Sequence, residues 1–169
     1  MSVFEFPVHG RSIGPSGREP PYLTNPDRRI YRPFIRVAIT LSNRIGVGPY
    51  RWAYLQVDPG GDCCLLRQSC AEEIHLPRPT DAPVHEFQTA SGLFTAWFAP
   101  VGLRLGMPKE PNPFEWITPV GFVPEERLPA SALEGIFGIG GGLERFLRTE
   151  LVLSPIGAEM PVVRIYTPG

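Results

Sequence analysis

Residues 54–66 read YLQVDPGGDCCLL: an apolar run delivers one aspartate, Asp58, into a glycine-rich turn, and a second apolar run follows. The segment Tyr50 to Val57 is rich in aromatic and β-branched residues, which suit a pleated, half-buried strand. Asp58, Pro59, Gly60 and Gly61 are turn formers, so the strand stops abruptly and leaves the Asp58 side chain at a loop apex. Backbone N–H groups in such a turn favour the ionised form of a carboxylate. Two readings stay open on this stretch alone: an ordinary turn, or an acid held in place for chemistry.

Outward from this stretch the chain reads as many short strands. Ile35, Val37, Ile39 and Leu41 alternate with Arg36, Ala38, Thr40 and Ser42, the period of a strand. Cys63 to Leu66 is a further short strand, and QSCAEEIH at residues 68–75 is a helix with Cys70 and Ile74 on one face. Val84 to Thr89 and Gly92 to Leu105 form a hairpin that turns at Ala90, Ser91 and Gly92. Phe114 to Val123, Leu151 to Leu153 and Val162 to Tyr166 are strands. Leu143 to Arg148 (LERFLR) is a second short helix. Residues 1–33 are rich in glycine and proline and form an N-terminal arm, with Val3 to Val8 as its one short strand; residues 34–169 form the domain.

Composition narrows the class. With 21 prolines and 18 glycines among 169 residues, long helices do not survive, and a turn-rich β protein is expected. Hydrophobic residues at 43% supply a core, and a net charge of -1 gives no global field toward nucleic acid or an acidic membrane. No apolar run is long enough to span a bilayer, and MSVFEFPVHGRS lacks the pattern of a secretion signal. Cys63, Cys64 and Cys70 are an odd trio without Cys-x-x-Cys spacing, which favours a reducing, cytoplasmic setting and thiols that act as small hydrophobes. His9, His75 and His85 are scattered, so no metal site is expected. Arg28, Arg29, Arg32 and Arg36 form a local basic cluster, read as a solvated arm.

A second feature lies downstream of the aspartate. Ile136 and Phe137 enter Gly138-Ile139-Gly140-Gly141-Gly142, followed by LERFLR. The run lacks the Lys-Ser/Thr ending of a phosphate-binding loop, and no acid follows at the spacing that would bind a ribose.

In serial order these parts resemble the retropepsin family, the retroviral-type aspartic proteases and their cellular relatives. The matching parts are Val57-Asp58-Pro59-Gly60-Gly61-Asp62, then the strand and helix from Leu65 to Ile74. The hairpin Phe87 to Phe98 follows as a flap, and Ile136-Phe137-Gly138 with Leu143 to Phe146 as the closing turn and helix. The resemblance spans roughly Arg32 to Ser154. It implies an all-β, retropepsin-like closed antiparallel β-barrel with one or two short helices. It also implies a homodimer in which each subunit supplies Asp58, acting without a cofactor on an extended peptide or protein substrate. Gly60, Asp62, Ala90, Ser91, Gly92 and Gly138 would then border the substrate. Phe94 and Trp97 would line the cleft or brace the hairpin.

One departure stands out. The family has Thr or Ser after the catalytic aspartate, and this chain has Pro59, which offers neither hydroxyl nor backbone N–H. A buried acceptor left without its donor costs about 1–3 kcal/mol. The alternative expectation is therefore a catalytically impaired pseudoprotease that binds peptide or dimerises.

Overall fold

The computed structural model describes residues 1–7, 9–12, 29–89, 92–106, 110–128, 133–152 and 162–168. In chain order its strands are β1 (Ser2–Pro7), β2 (His9–Ser12), β3 (Arg29–Arg32), β4 (Phe34–Leu41), β5 (Arg51–Val57) and β6 (Leu65–Arg67). Helix α1 (Gln68–Glu73) follows, then β7 (Val84–Thr89), β8 (Gly92–Leu105), β9 (Phe114–Val123), β10 (Gly135–Phe137), β11 (Arg148–Val152) and β12 (Val162–Thr167). The hairpin strands fall where turn chemistry puts them. Of the expected turn, Ala90 and Ser91 lie outside the described residues, and Gly92 opens β8 with φ of 116°.

Six strands close on themselves in the order β4-β5-β10-β6-β9-β8, and pairing of β4 with β8 completes the ring. Closure removes the sheet edges that would otherwise invite other chains. Pairing is antiparallel except at two places. The short β10 runs parallel to β5, with Phe137 opposite Val57, and β6 runs parallel to β9, with Leu65 opposite Gly121. Both exceptions flank the Asp58 turn. The long β8 changes partners along its length, pairing with β7 from Gly92 to Trp97 and with β4 from Val101 to Arg104. The β7–β8 hairpin is thus an extension of a barrel strand.

Alternation in β4 points Ile35, Val37 and Ile39 into the barrel, where all three are fully buried among Leu55, Leu66, Leu103, Phe122 and Phe137. Ala38 and Thr40, on the other face, are buried as well. The Thr40 hydroxyl donates to the Pro49 carbonyl at 2.8 Å, which satisfies the one polar group that this burial would strand. Phe94 and Trp97 are both buried. Trp97 stacks on Phe122 with centroids 4.6 Å apart, so these aromatics brace the hairpin.

The segment LERFLR does not form the expected helix. Only Leu143–Arg145 makes a single 3-10 turn, and Arg148 already opens β11. The reason is packing: Phe146 is drawn against Phe114, Trp116 and Phe137, with ring centroids 5.7–5.9 Å away, and an α-helical path would rotate it off them.

At the chain ends, β1 pairs antiparallel with β12, and β12 with β11, in a separate three-stranded sheet. Phe4, Val163 and Ile165 bury their side chains from this sheet in the main core. The first strand is therefore fastened to the body of the protein by ladder hydrogen bonds and apolar contact. Truncating Phe4→Ala should lower stability by about 3 kcal/mol in urea unfolding. A change below about 0.5 kcal/mol, the range of an exposed position, would show that β1 is loose in solution.

Candidate active site

Strand β5 delivers Asp58 to a turn that is tied to a second turn. The Asp58 N–H donates to the Phe137 carbonyl at 3.1 Å, carrying the parallel β5–β10 pairing one residue further. Beyond it, the Ile139 N–H donates to the Gly61 carbonyl at 2.8 Å and the Gly140 N–H to the Asp62 carbonyl at 2.9 Å. The Cys64 N–H returns to the Gly140 carbonyl at 3.2 Å. Four backbone hydrogen bonds therefore cross-brace residues 58–64 against residues 137–140.

Such close approach explains the glycines. A Cβ on Gly138 would sit 2.2 Å from the Cys63 carbonyl oxygen and 2.7 Å from that of Gly61, backbone that cannot swing away. Gly141 has φ of 76°, a conformation that favours glycine, and a Cβ there would fall 2.3 Å from the Thr118 hydroxyl. The glycine run is thus the surface against which the Asp58 turn is built.

Within its own turn, Asp58 is half-buried. Its Oδ1 accepts the Gly60 N–H at 3.0 Å, and its carbonyl accepts the Gly61 N–H at 3.0 Å. Pro59 and Gly60 are exposed, and Pro59 brings no donor. Among the described residues the hydrogen bonds that hold this carboxylate come from backbone alone, at the end of a barrel strand.

Asp58, Gly60, Asp62 and Gly138 come together through these contacts. Asp62 is exposed, and it is its carbonyl that braces the turn. Gly92 sits on the separate β7–β8 hairpin, and Ala90 and Ser91 fall outside the described residues. Two supporting residues escape sequence reading. The Glu144 carboxylate accepts the Gly141 N–H at 2.8 Å, and the Trp116 indole N–H donates to the Gly141 carbonyl at 2.8 Å. Glu144 had a signal, since an acid three residues into a turn commonly reaches back to its first N–H groups. Trp116, on β9, had none.

The thiols are shielded. Burial pushes Cys64 up to about 12 and both Cys63 and Cys70 up to about 11, and all three cysteines are free. Among the described residues no group of three His, Cys, Asp or Glu side chains is placed to hold a metal ion, and no helix is long and apolar enough to cross a membrane.

No protein-family model matches the chain, and no curated protein matches it. Among solved structures, the chain is similar to a retropepsin-like aspartic protease from Rickettsia conorii, at 16% identity and a TM-score of 0.49. That similarity covers 98% of this chain and 92% of the other.

Two expectations follow from the geometry. Gly138→Ala should cost about 2 kcal/mol or more in denaturant unfolding, whereas Gly60→Ala, whose added Cβ meets only the Asp58 carboxylate at 3.3 Å, should cost under about 1. Equal costs would mean that the two turns are not locked together. Alkylation of Cys63, followed by mass spectrometry of its peptide, should be slow at pH 7, where about one thiol in ten thousand is ionised. It should quicken about tenfold per pH unit toward pH 11. A rate already at its plateau by pH 8 would contradict the burial of that thiol.

Proposed function

We propose that the chain is a retropepsin-like aspartic endopeptidase that works as a homodimer, each subunit supplying one Asp58. What carries this reading is the Asp58 carboxylate, presented at the end of β5 on a turn that four backbone hydrogen bonds brace against residues 137–140. Peptide hydrolysis by this route needs two carboxylates, and the chain has one Asp-x-Gly turn of this kind, so a second subunit provides the other.

Two carboxylates in contact do not both ionise readily, so the pair shares one proton. The ionised member takes a proton from water as the water oxygen bonds to the scissile carbonyl carbon. The protonated member gives its proton to the carbonyl oxygen. Collapse of the resulting diol breaks the C–N bond, the leaving nitrogen receiving a proton from one carboxyl group and a hydroxyl returning its own to the other. Gly60 and Gly138 border the reacting bond, Asp62 meets the substrate backbone beside it, and Ala90, Ser91 and Gly92 at the hairpin tip close over an extended peptide as an added strand. Residues 1–33 serve as an arm on the domain formed by 34–169. The three free thiols suit a reducing, cytoplasmic setting.

Pro59 supports a second reading, a pseudoprotease that binds peptide without cutting it. The position after Asp58 contributes neither hydroxyl nor N–H, and the carboxylate takes its turn hydrogen bond from Gly60 instead. Bracing by the 137–140 segment within one subunit offsets part of that loss, which is why the active reading is preferred.

Asp58→Asn should abolish cleavage of an unstructured peptide at mildly acidic pH while leaving the unfolding midpoint within experimental scatter of wild type. If wild type cuts nothing between about pH 4 and 7, where such pairs work, and Pro59→Thr restores cutting, the pseudoprotease reading stands. If neither protein cuts, the protease reading fails.

A further inference from the structure

Away from the Asp58 turn, a cavity of about 400 Å³ lies between β1 and the outer face of the barrel. Phe4 and Phe6 wall one side, and Phe34, Arg36, Trp52 and Tyr54 wall the other. Strand register explains the grouping. Arg36 lies opposite Tyr54, and Ala38 opposite Trp52, so these side chains share the outer face, and small Ala38 leaves room beside the tryptophan. The Arg36 guanidinium stacks over Trp52 at 4.4 Å from the ring centroid and stands 5.9 Å from that of Tyr54.

Among the described residues, Arg36 is a cation without an anion. Its Nε is buried without a hydrogen-bond partner, and among the described residues no carboxylate pairs with it. The two acids at this cavity do not supply one. Glu5 is engaged by Arg164 at 2.5 Å, and Glu110, which has contacts of its own, forms no ion pair with Arg36 among the described residues. A guanidinium without an anionic partner leaves its charge uncompensated, and a planar carboxylate is the group whose geometry matches its fork of N–H donors. Aromatic walls, in turn, favour an apolar body, and the volume is that of a small-molecule site.

We propose that this cavity binds a hydrophobic monocarboxylate, its apolar or aromatic body lodged between Phe4, Phe34 and Trp52 and its carboxylate accepting from Arg36. Two sources present this chemistry: a free small acid, or the C-terminal carboxylate of a peptide that ends in an aromatic residue. The site stands apart from the Asp58 reading, and Asp58→Asn should leave its binding unchanged.

Titration calorimetry at pH 7 on the full chain with 4-phenylbutyrate and its uncharged amide, 4-phenylbutanamide, tests this directly. The acid should bind about tenfold or more tightly than the amide, a gap worth about 1.4 kcal/mol. Arg36→Met should erase that gap while keeping the amide's affinity. If Arg36→Met does not fold, the acid–amide comparison in wild type decides alone. Equal binding of acid and amide, no binding of the acid at about 5 mM (a Kd beyond the millimolar range), or full retention of the gap in Arg36→Met would overturn the proposal. Gly-Gly-Phe with a free and with an amidated C-terminus separates the sources. Tighter binding of the free peptide than of phenylbutyrate marks a chain terminus as the natural ligand, and the reverse marks a small acid.

Discussion

The structure depends on a backbone lock between two turns far apart in sequence. Asp58 to Cys64 and Phe137 to Gly140 exchange four main-chain hydrogen bonds, and nothing larger than hydrogen fits at Gly138 where they cross. Closing so long a loop costs conformational entropy that local contacts do not return. The compensation comes from the barrel: β10 inserts between β5 and β6, burying Phe137 completely beside Leu55 and Leu66. Hydrophobic burial brings the turns together, and the hydrogen bonds then fix their geometry.

That division of labour explains how a single acid can be held at a barrel end, among the described residues, by main-chain partners alone. Its N–H, its carbonyl and one carboxylate oxygen are all engaged by main chain. Main-chain donors carry little side-chain entropy, so they hold a carboxylate more firmly than a lysine or arginine arm of equal reach. The same logic softens the absence of a hydroxyl at Pro59, because rigidity comes from residues 137–140 of the same chain.

Much of this was legible in the sequence. The alternation of Ile35, Val37 and Ile39, the stop at Asp58-Pro59-Gly60 and the paired runs around Gly92 are local signals, and local signals set strand positions. The glycine run was legible as a special segment, although its role as a mate for the Asp58 turn came from serial order and not from any physical signal within it. The failures were tertiary. LERFLR has a helix-forming composition, but the pull of Phe146 toward Phe114, Trp116 and Phe137 leaves it only one turn. The cavity around Arg36 was invisible because Phe4 and Trp52 lie far apart in the chain. Sequence showed Arg36 as one member of a basic cluster, whereas pairing with Tyr54 and stacking on Trp52 set it among aromatics.

The central claim is that two copies of Asp58 meet in one pocket. A crystal structure of the assembled protein measures this most directly, through the distance between the two Asp58 carboxylates. The account predicts a two-fold pair within hydrogen-bond reach, about 2.5–3.0 Å between oxygens. A monomer in solution and in the crystal, or a dimer whose Asp58 side chains face solvent on opposite sides, would contradict it.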